Sequence, residues 1–184
     1  GASGALLRSD DLSPLGSTYS AAVLGPVDQN PGDDYVVGWI DYSSCFSGGV
    51  RAFRGASGSP FWTDYHCVPG DEYGFAVEAL GDLDGDGSAD VVACGLDSAG
   101  FACSGFGFTR TLSGLTGDLL YQSTGFKFGA RGRAAADLGD LDGDGSADVA
   151  VGEPGILGAA VGQDLRILRG SQGTAFLAVA PDDA

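Results

Sequence analysis

The string DLDGDGSAD occurs twice, at Asp82–Asp90 and at Asp140–Asp148. Each copy places carboxylates at its first, third, fifth and ninth positions and glycine at its fourth and sixth. Carboxylate oxygens are hard donors, and Ca²⁺ gathers about six to eight of them. Alternate aspartates on a loop whose tight turns glycine permits can aim several oxygens at one point. Four carboxylates confined to one loop repel one another unless a cation sits among them. The two strings therefore predict two Ca²⁺ sites. A calcium loop of the EF-hand type begins in the same way, but it needs a bidentate acid at its twelfth position and a helix on its exit side. Here the twelfth residue is Ala93 or Val151, inside an apolar run that reads as a strand.

The elements that must hold these loops recur with them. A worn third copy lies upstream, where Gly25-Pro26-Val27-Asp28-Gln29-Asn30-Pro31-Gly32-Asp33-Asp34 aligns with Gly81–Asp90 and Gly139–Asp148. The last aspartates of the three copies are 56 and 58 residues apart. Each copy runs into a β-branched stretch: Tyr35-Val36-Val37-Gly38, Val91-Val92-Ala93-Cys94 and Val149-Ala150-Val151-Gly152. A Gly-x-x-Gly turn between short apolar runs keeps the same period at Gly1, Gly55, Gly114 and Gly170. Such a turn is a hairpin signal.

Each unit thus predicts four short strands. In the first unit they fall near 18–24, 34–40, 49–54 and 59–66; in the second near 74–80, 90–95, 105–112 and 118–123; in the third near 132–138, 148–152, 164–169 and 174–179. No long stretch keeps the helical period of 3.6 residues. Four short strands per repeat describe a propeller blade. The expected fold is all-β: three four-stranded antiparallel blades plus an extra N-terminal outer strand, an incomplete ring unless assembled or part of a longer chain. The divisions are 1–9 for the orphan strand, 10–66 for a blade with a degenerate loop, 67–124 for the blade carrying loop 82–90, and 125–184 for the blade carrying loop 140–148.

These residues resemble FG-GAP repeats, the blades of the integrin α-subunit β-propeller. In that family an aromatic-Gly segment precedes a D-x-D-x-D-G-x-x-D loop, and a strand ending in Gly-Ala-Pro follows. The second unit has Tyr73-Gly74-Phe75-Ala76-Val77, then the loop, then Val91 to Gly95; the third has Val151-Gly152-Glu153-Pro154 in the Gly-Ala-Pro region. Departures are Cys94 where Gly38 and Gly152 stand in the other units, Arg131-Gly132-Arg133 in place of the aromatic lead-in, and Pro26 and Pro31 in the first loop. The resemblance implies side-chain ligands at loop positions one, three, five and nine and a backbone carbonyl at position seven. That assigns Asp82, Asp84, Asp86, Ser88 and Asp90 to one site, and Asp140, Asp142, Asp144, Ser146 and Asp148 to the other. The first loop keeps Asp28, Asn30 and Asp34, with Gly32 at the carbonyl position, as a weaker third site for which a metal-free turn is the favoured reading.

Bulk properties fit an extracellular module. Acidic residues number 25 against 9 basic, for a net charge of −16, which opposes binding to nucleic acid. No apolar run has the length of a membrane span, about 18 residues. The 33 glycines accompany a 43 % hydrophobic fraction, a turn-rich β composition rather than a disordered one. The absence of Met points to a processed product or a piece of a longer protein. Four cysteines leave three pairings open; of these we favour Cys94–Cys103, which closes a short loop, with Cys45–Cys67. No C-x-x-C spacing supports zinc.

Other residues invite weaker readings. His66 is the single histidine, and no G-x-S-x-G elbow accompanies it. Glu78 and Glu153 lack the setting of a glycosidase pair. Lys127, Arg131 and Arg133 form a small basic cluster, and Phe106 and Phe108 alternate onto one strand face as core. The expected function is non-enzymatic: adhesion or self-assembly into a ring or filament through strand or blade-edge association, with further copies, other blades of a longer protein, an extracellular protein or a glycan as partner. The alternatives are a lectin-type propeller and an accessory segment of a larger secreted protein or enzyme.

Overall fold

The computed structural model describes residues 9, 12, 16–28, 30–43, 47–97, 106–124, 134–153 and 164–179. Among the described residues, twelve strands form three four-stranded antiparallel sheets and no helix occurs. The first sheet holds β1 (Ser17–Gly25), β2 (Asp34–Asp41), β3 (Ser47–Phe53) and β4 (Pro60–His66). The second holds β5 (Ala76–Ala79), β6 (Val91–Asp97), β7 (Phe106–Leu112) and β8 (Leu119–Thr124). The third holds β9 (Ala134–Gly139), β10 (Asp148–Glu153), β11 (Asp164–Leu168) and β12 (Ala175–Val179). Within each sheet the strands lie side by side in chain order, so every connection is a hairpin. The acidic loops join the first strand to the second, and the Gly-x-x-Gly turns join the third to the fourth. Both features therefore meet at one end of each sheet.

The burial of each strand follows from its neighbours. β2 is buried along almost its whole length, because side chains on both of its faces meet apolar partners. Its alternate residues serve two cores. Val36 joins Val50, Ala52 and Trp62 in a cluster with Tyr73, Val77, Val91, Ala93, Phe108 and Leu112 of the second sheet's side. Val37, Trp39 and Phe53 point the other way, with Leu12 packed on them. β6 divides likewise: Val91 and Ala93 face the first sheet, while Val92 and Cys94 pack with Val149, Val151 and Leu168 of the third. The middle sheet is thus covered on both faces, and β5 touches both β1 and β9. Full burial of a Val or Leu side chain stabilises by about 1.5–3 kcal/mol, so the two cores between sheets hold the stack together.

Specific contacts fix the stacking. Trp62 on β4 donates its Nε1–H to the Gly114 carbonyl of the second sheet at 2.8 Å, a buried bond. A Cβ on Gly117 would collide with the same indole ring, and one on Gly173 would collide with Tyr121 of β8. Each outer-strand aromatic therefore rests on the next sheet's turn. Polar groups add a second seam. Tyr73 donates its hydroxyl to Asp64 Oδ2 at 2.7 Å, and Arg110 on β7 reaches the same carboxylate through Nε at 3.0 Å. Asp71, fully buried, contacts His66 Nδ1. Burial, the largest influence, holds Asp71 above the usual carboxylate range, against the lowering effect of His66.

The strands fall where the sequence places them, with β5 shorter at both ends than expected. The orphan strand at 1–9 lies outside the described residues except for Ser9, as do Cys45, Cys103, Lys127, Arg131 and Arg133. The expected Cys94–Cys103 bridge is not formed: Cys94 is a free thiol inside the second core, and desolvation pushes it up to about 12. Position 94 faces the third sheet beside Val149 and Val151, so the sulfur acts there as a small apolar side chain. Phe108 is core, as its alternation indicates.

Candidate metal centres

The second and third loops fold alike because the same local bonds form in each. Asp82 Oδ1 accepts from Gly85 N at 2.7 Å and its Oδ2 from Gly87 N at 2.9 Å; Asp140 accepts from Gly143 at 2.7 Å and Gly145 at 2.9 Å. Asp84 and Asp142 each accept from the amide two residues on, at 3.0 and 3.2 Å. Asp86 Oδ1 accepts from Ser88 N at 2.7 Å, and Asp144 Oδ1 from Ser146 N at 2.9 Å. These turns wind the backbone around the first aspartate. The glycines at positions four and six take φ of +81° and +89° in the second loop, a region costly for other residues.

The winding gathers carboxylates. One oxygen from each of Asp82, Asp84 and Asp86 lies within 4.8 Å of the others, on an exposed surface. In the third loop the group is Asp140, Asp142 and Asp148, again within 4.8 Å. An all-oxygen, all-anionic donor set with no histidine or cysteine suits a hard cation of the Ca²⁺ kind. Ser88 and Ser146 donate their amides to the fifth-position aspartates of their loops.

The ninth aspartate has a role that the motif alone does not reveal. Asp90 Oδ2 accepts from Leu83 N in its own loop at 2.7 Å, and Oδ1 accepts from Gly114 N at 3.0 Å. Asp148 repeats this with Leu141 at 2.8 Å and Gly170 at 3.3 Å. Asp34 does the same with Asp28 N at 3.2 Å and Gly55 N at 2.8 Å. All three are buried. Each therefore clamps the acidic loop to the Gly-x-x-Gly turn beside it. The turn glycine must lack a side chain, because a Cβ on Gly55, Gly114 or Gly170 would collide with the carbonyl of Asp33, Ala89 or Ala147. Desolvation, reinforced by Asp84 and Asp86, raises Asp90 to about 6 despite its two amide donors.

The first loop is built differently. Asn30 donates to Asp28 through both its backbone and its side chain, each at 2.9 Å. Arg54 Nε lies 2.8 Å from Asp28 Oδ2. These contacts hold Asp28 below the ordinary carboxylate range, Asn30 contributing most. Gly32 takes φ +111° at the carbonyl position. Among the described residues no metal-sized group of acids forms in this loop.

Sequence reasoning also missed the residue just before each turn glycine: Arg54, Ser113 and Arg169. Arg169 Nε stands 2.8 Å from Asp142 Oδ2, a contact of charges rather than an aligned hydrogen bond. Ser113 Oγ reaches Asp86 Oδ2 at 3.4 Å. The common period of loop and turn was the available signal.

No family model matches the chain, and no curated protein does. Among solved structures it is similar to rhamnogalacturonan lyase YesW, with a TM-score of 0.56 at 16 % identity, over 91 % of this chain and 35 % of that one. The exotype rhamnogalacturonan lyase YesX is similar to the same degree, with a TM-score of 0.55 at 16 % identity over 91 % of this chain and 33 % of the lyase. The chain spans about a third of the length of these two proteins. At this identity the likeness concerns the fold.

Proposed function

We propose that the chain is a run of three β-propeller blades of the FG-GAP type, stabilised by Ca²⁺ in the second and third loops, and that it serves as a non-catalytic extracellular module for association. The observation that carries this reading is that each loop gathers three carboxylates within 4.8 Å of one another, at positions one, three and five in the second loop and one, three and nine in the third. Three antiparallel sheets in chain order, stacked face to face with their first strands adjacent, agree with blade architecture. Calcium would lie where the acidic loop meets the Gly-x-x-Gly turn, and its binding free energy would add to folding stability by linkage. The experiment is thermal unfolding in calcium and in chelator. The expected result is a higher melting temperature in calcium, with the increment reduced in D84A and in D142A. Equal melting in both conditions overturns the reading.

Association is supported by the last sheet. Thr109 of the middle sheet is fully buried, whereas its counterpart Leu165 on β11 is 42 % exposed. A neighbouring sheet would cover that leucine. Sedimentation in calcium is expected to show complexes larger than one chain; a monomer at high concentration counts against self-association.

A second reading draws on the likeness to part of two rhamnogalacturonan lyases: the chain is a segment of a larger carbohydrate-acting protein. Retardation by rhamnogalacturonan in affinity electrophoresis would favour it, and absence of retardation would favour the first.

A further inference from the structure

We infer that the residue preceding each turn glycine sets how strongly its loop takes a metal ion, with arginine acting as a built-in competitor for the cation. The inference rests on the calcium reading of the loops and deepens it. The three loops differ at this one structural position in a way their own sequences do not reveal. In the first sheet Arg54 lies on Asp28, the third loop position, and its guanidinium is also held over the Phe61 ring at 5.2 Å from the centroid. In the third sheet Arg169 lies on Asp142, again the third loop position. In the second sheet the position is Ser113, a neutral hydroxyl directed at Asp86.

The electrostatic consequence follows from charge and distance. A guanidinium on a carboxylate already satisfies part of the negative field that would draw a divalent ion. A metal entering the third loop must displace Arg169 from Asp142 or accept a positive neighbour. A metal entering the second loop meets three carboxylates and, at the turn position that holds arginine in the other two sheets, the neutral Ser113. In the first loop Arg54, secured by Asp28 and Phe61, stands in for the metal, and the lost carboxylate at Pro26 leaves less negative charge to neutralise. The loops therefore form a series: metal-binding at 82–90, weaker at 140–148, and arginine-filled at 26–34.

The test is calorimetric titration with calcium alone, on chains reduced to one site. D140N/D142N leaves the second loop, and D82N/D84N leaves the third. The expected result is binding about tenfold tighter at the second loop than at the third, since nearby charges act through exposed, water-screened space. R169S, and R169Q as a second replacement, should tighten the third loop about tenfold, and S113R should weaken the second loop by a similar factor. Calcium binding at both loops with dissociation constants indifferent to all three replacements overturns the inference and leaves the calcium reading standing. Absence of binding in both single-site chains, with circular dichroism matching the parent, overturns the calcium reading and this inference with it.

Discussion

A carboxylate at the ninth loop position is well placed for a cation, yet Asp34, Asp90 and Asp148 spend both oxygens on backbone amides from two different hairpins. Removing Asp90 leaves the Gly114 amide buried and unpaired, so D90A is expected to cost about 2 kcal/mol or more even in chelator, as read by denaturant unfolding. The same residue makes the ion-free protein sensitive to pH. Its folded pKa of about 6 lies above the ordinary 3.8, so the folded state holds its proton more tightly than the unfolded chain. That contribution is complete below pH about 4 and fades as the pH climbs through about 6. Dialysed, ion-free protein should therefore lose melting temperature over that interval, and D90N, which has no carboxyl to titrate there, should not show that loss. The acidic residues were legible from their spacing alone. Arg54, Ser113 and Arg169 were not, because they lie over 20 residues from the carboxylates they approach and only strand pairing brings them near.

The strands were readable for a plain reason. Apolar, β-branched runs such as Tyr35-Val36-Val37 and Val91-Val92-Ala93 are bounded by loops and turns whose glycines end them. Their pairing in chain order follows from hairpin connections. What the pattern could not convey is how sheets contact one another. Trp62 reads as one more aromatic in an outer strand, and its bond to Gly114 depends on the angle between two sheets. W62F should cost about 1 kcal/mol through that lost bond, measurable as a shift in denaturant midpoint with an unchanged slope. Arg110 and Asp64 form a half-buried pair joining β7 to β4, with both side chains 16 % exposed. R110A leaves Asp64 facing only the Tyr73 hydroxyl and is expected to cost about 2 kcal/mol. His66 likewise belongs to this seam, with Nδ1 on Asp71 and its ring against Phe108 of the second sheet.

At the scale of the whole molecule, three repeats bury the middle sheet on both faces and leave the third with Leu165 exposed. The repeat period announced this modular build, since units of equal length stack by equal contacts. Cys94 is the instructive failure: an even cysteine count suggested a bridge, but the strand register turns position 94 into the core against Val149 and Val151. Periodicity assigns a residue to a strand; which face it occupies depends on where the neighbouring sheet lies. The central claim, that the two intact loops each hold one Ca²⁺, is tested most directly by native mass spectrometry of the calcium-loaded chain. The account predicts two bound ions in the parent, one in D84A and one in D142A. An ion count of zero, or a count of two that survives both substitutions, would contradict it.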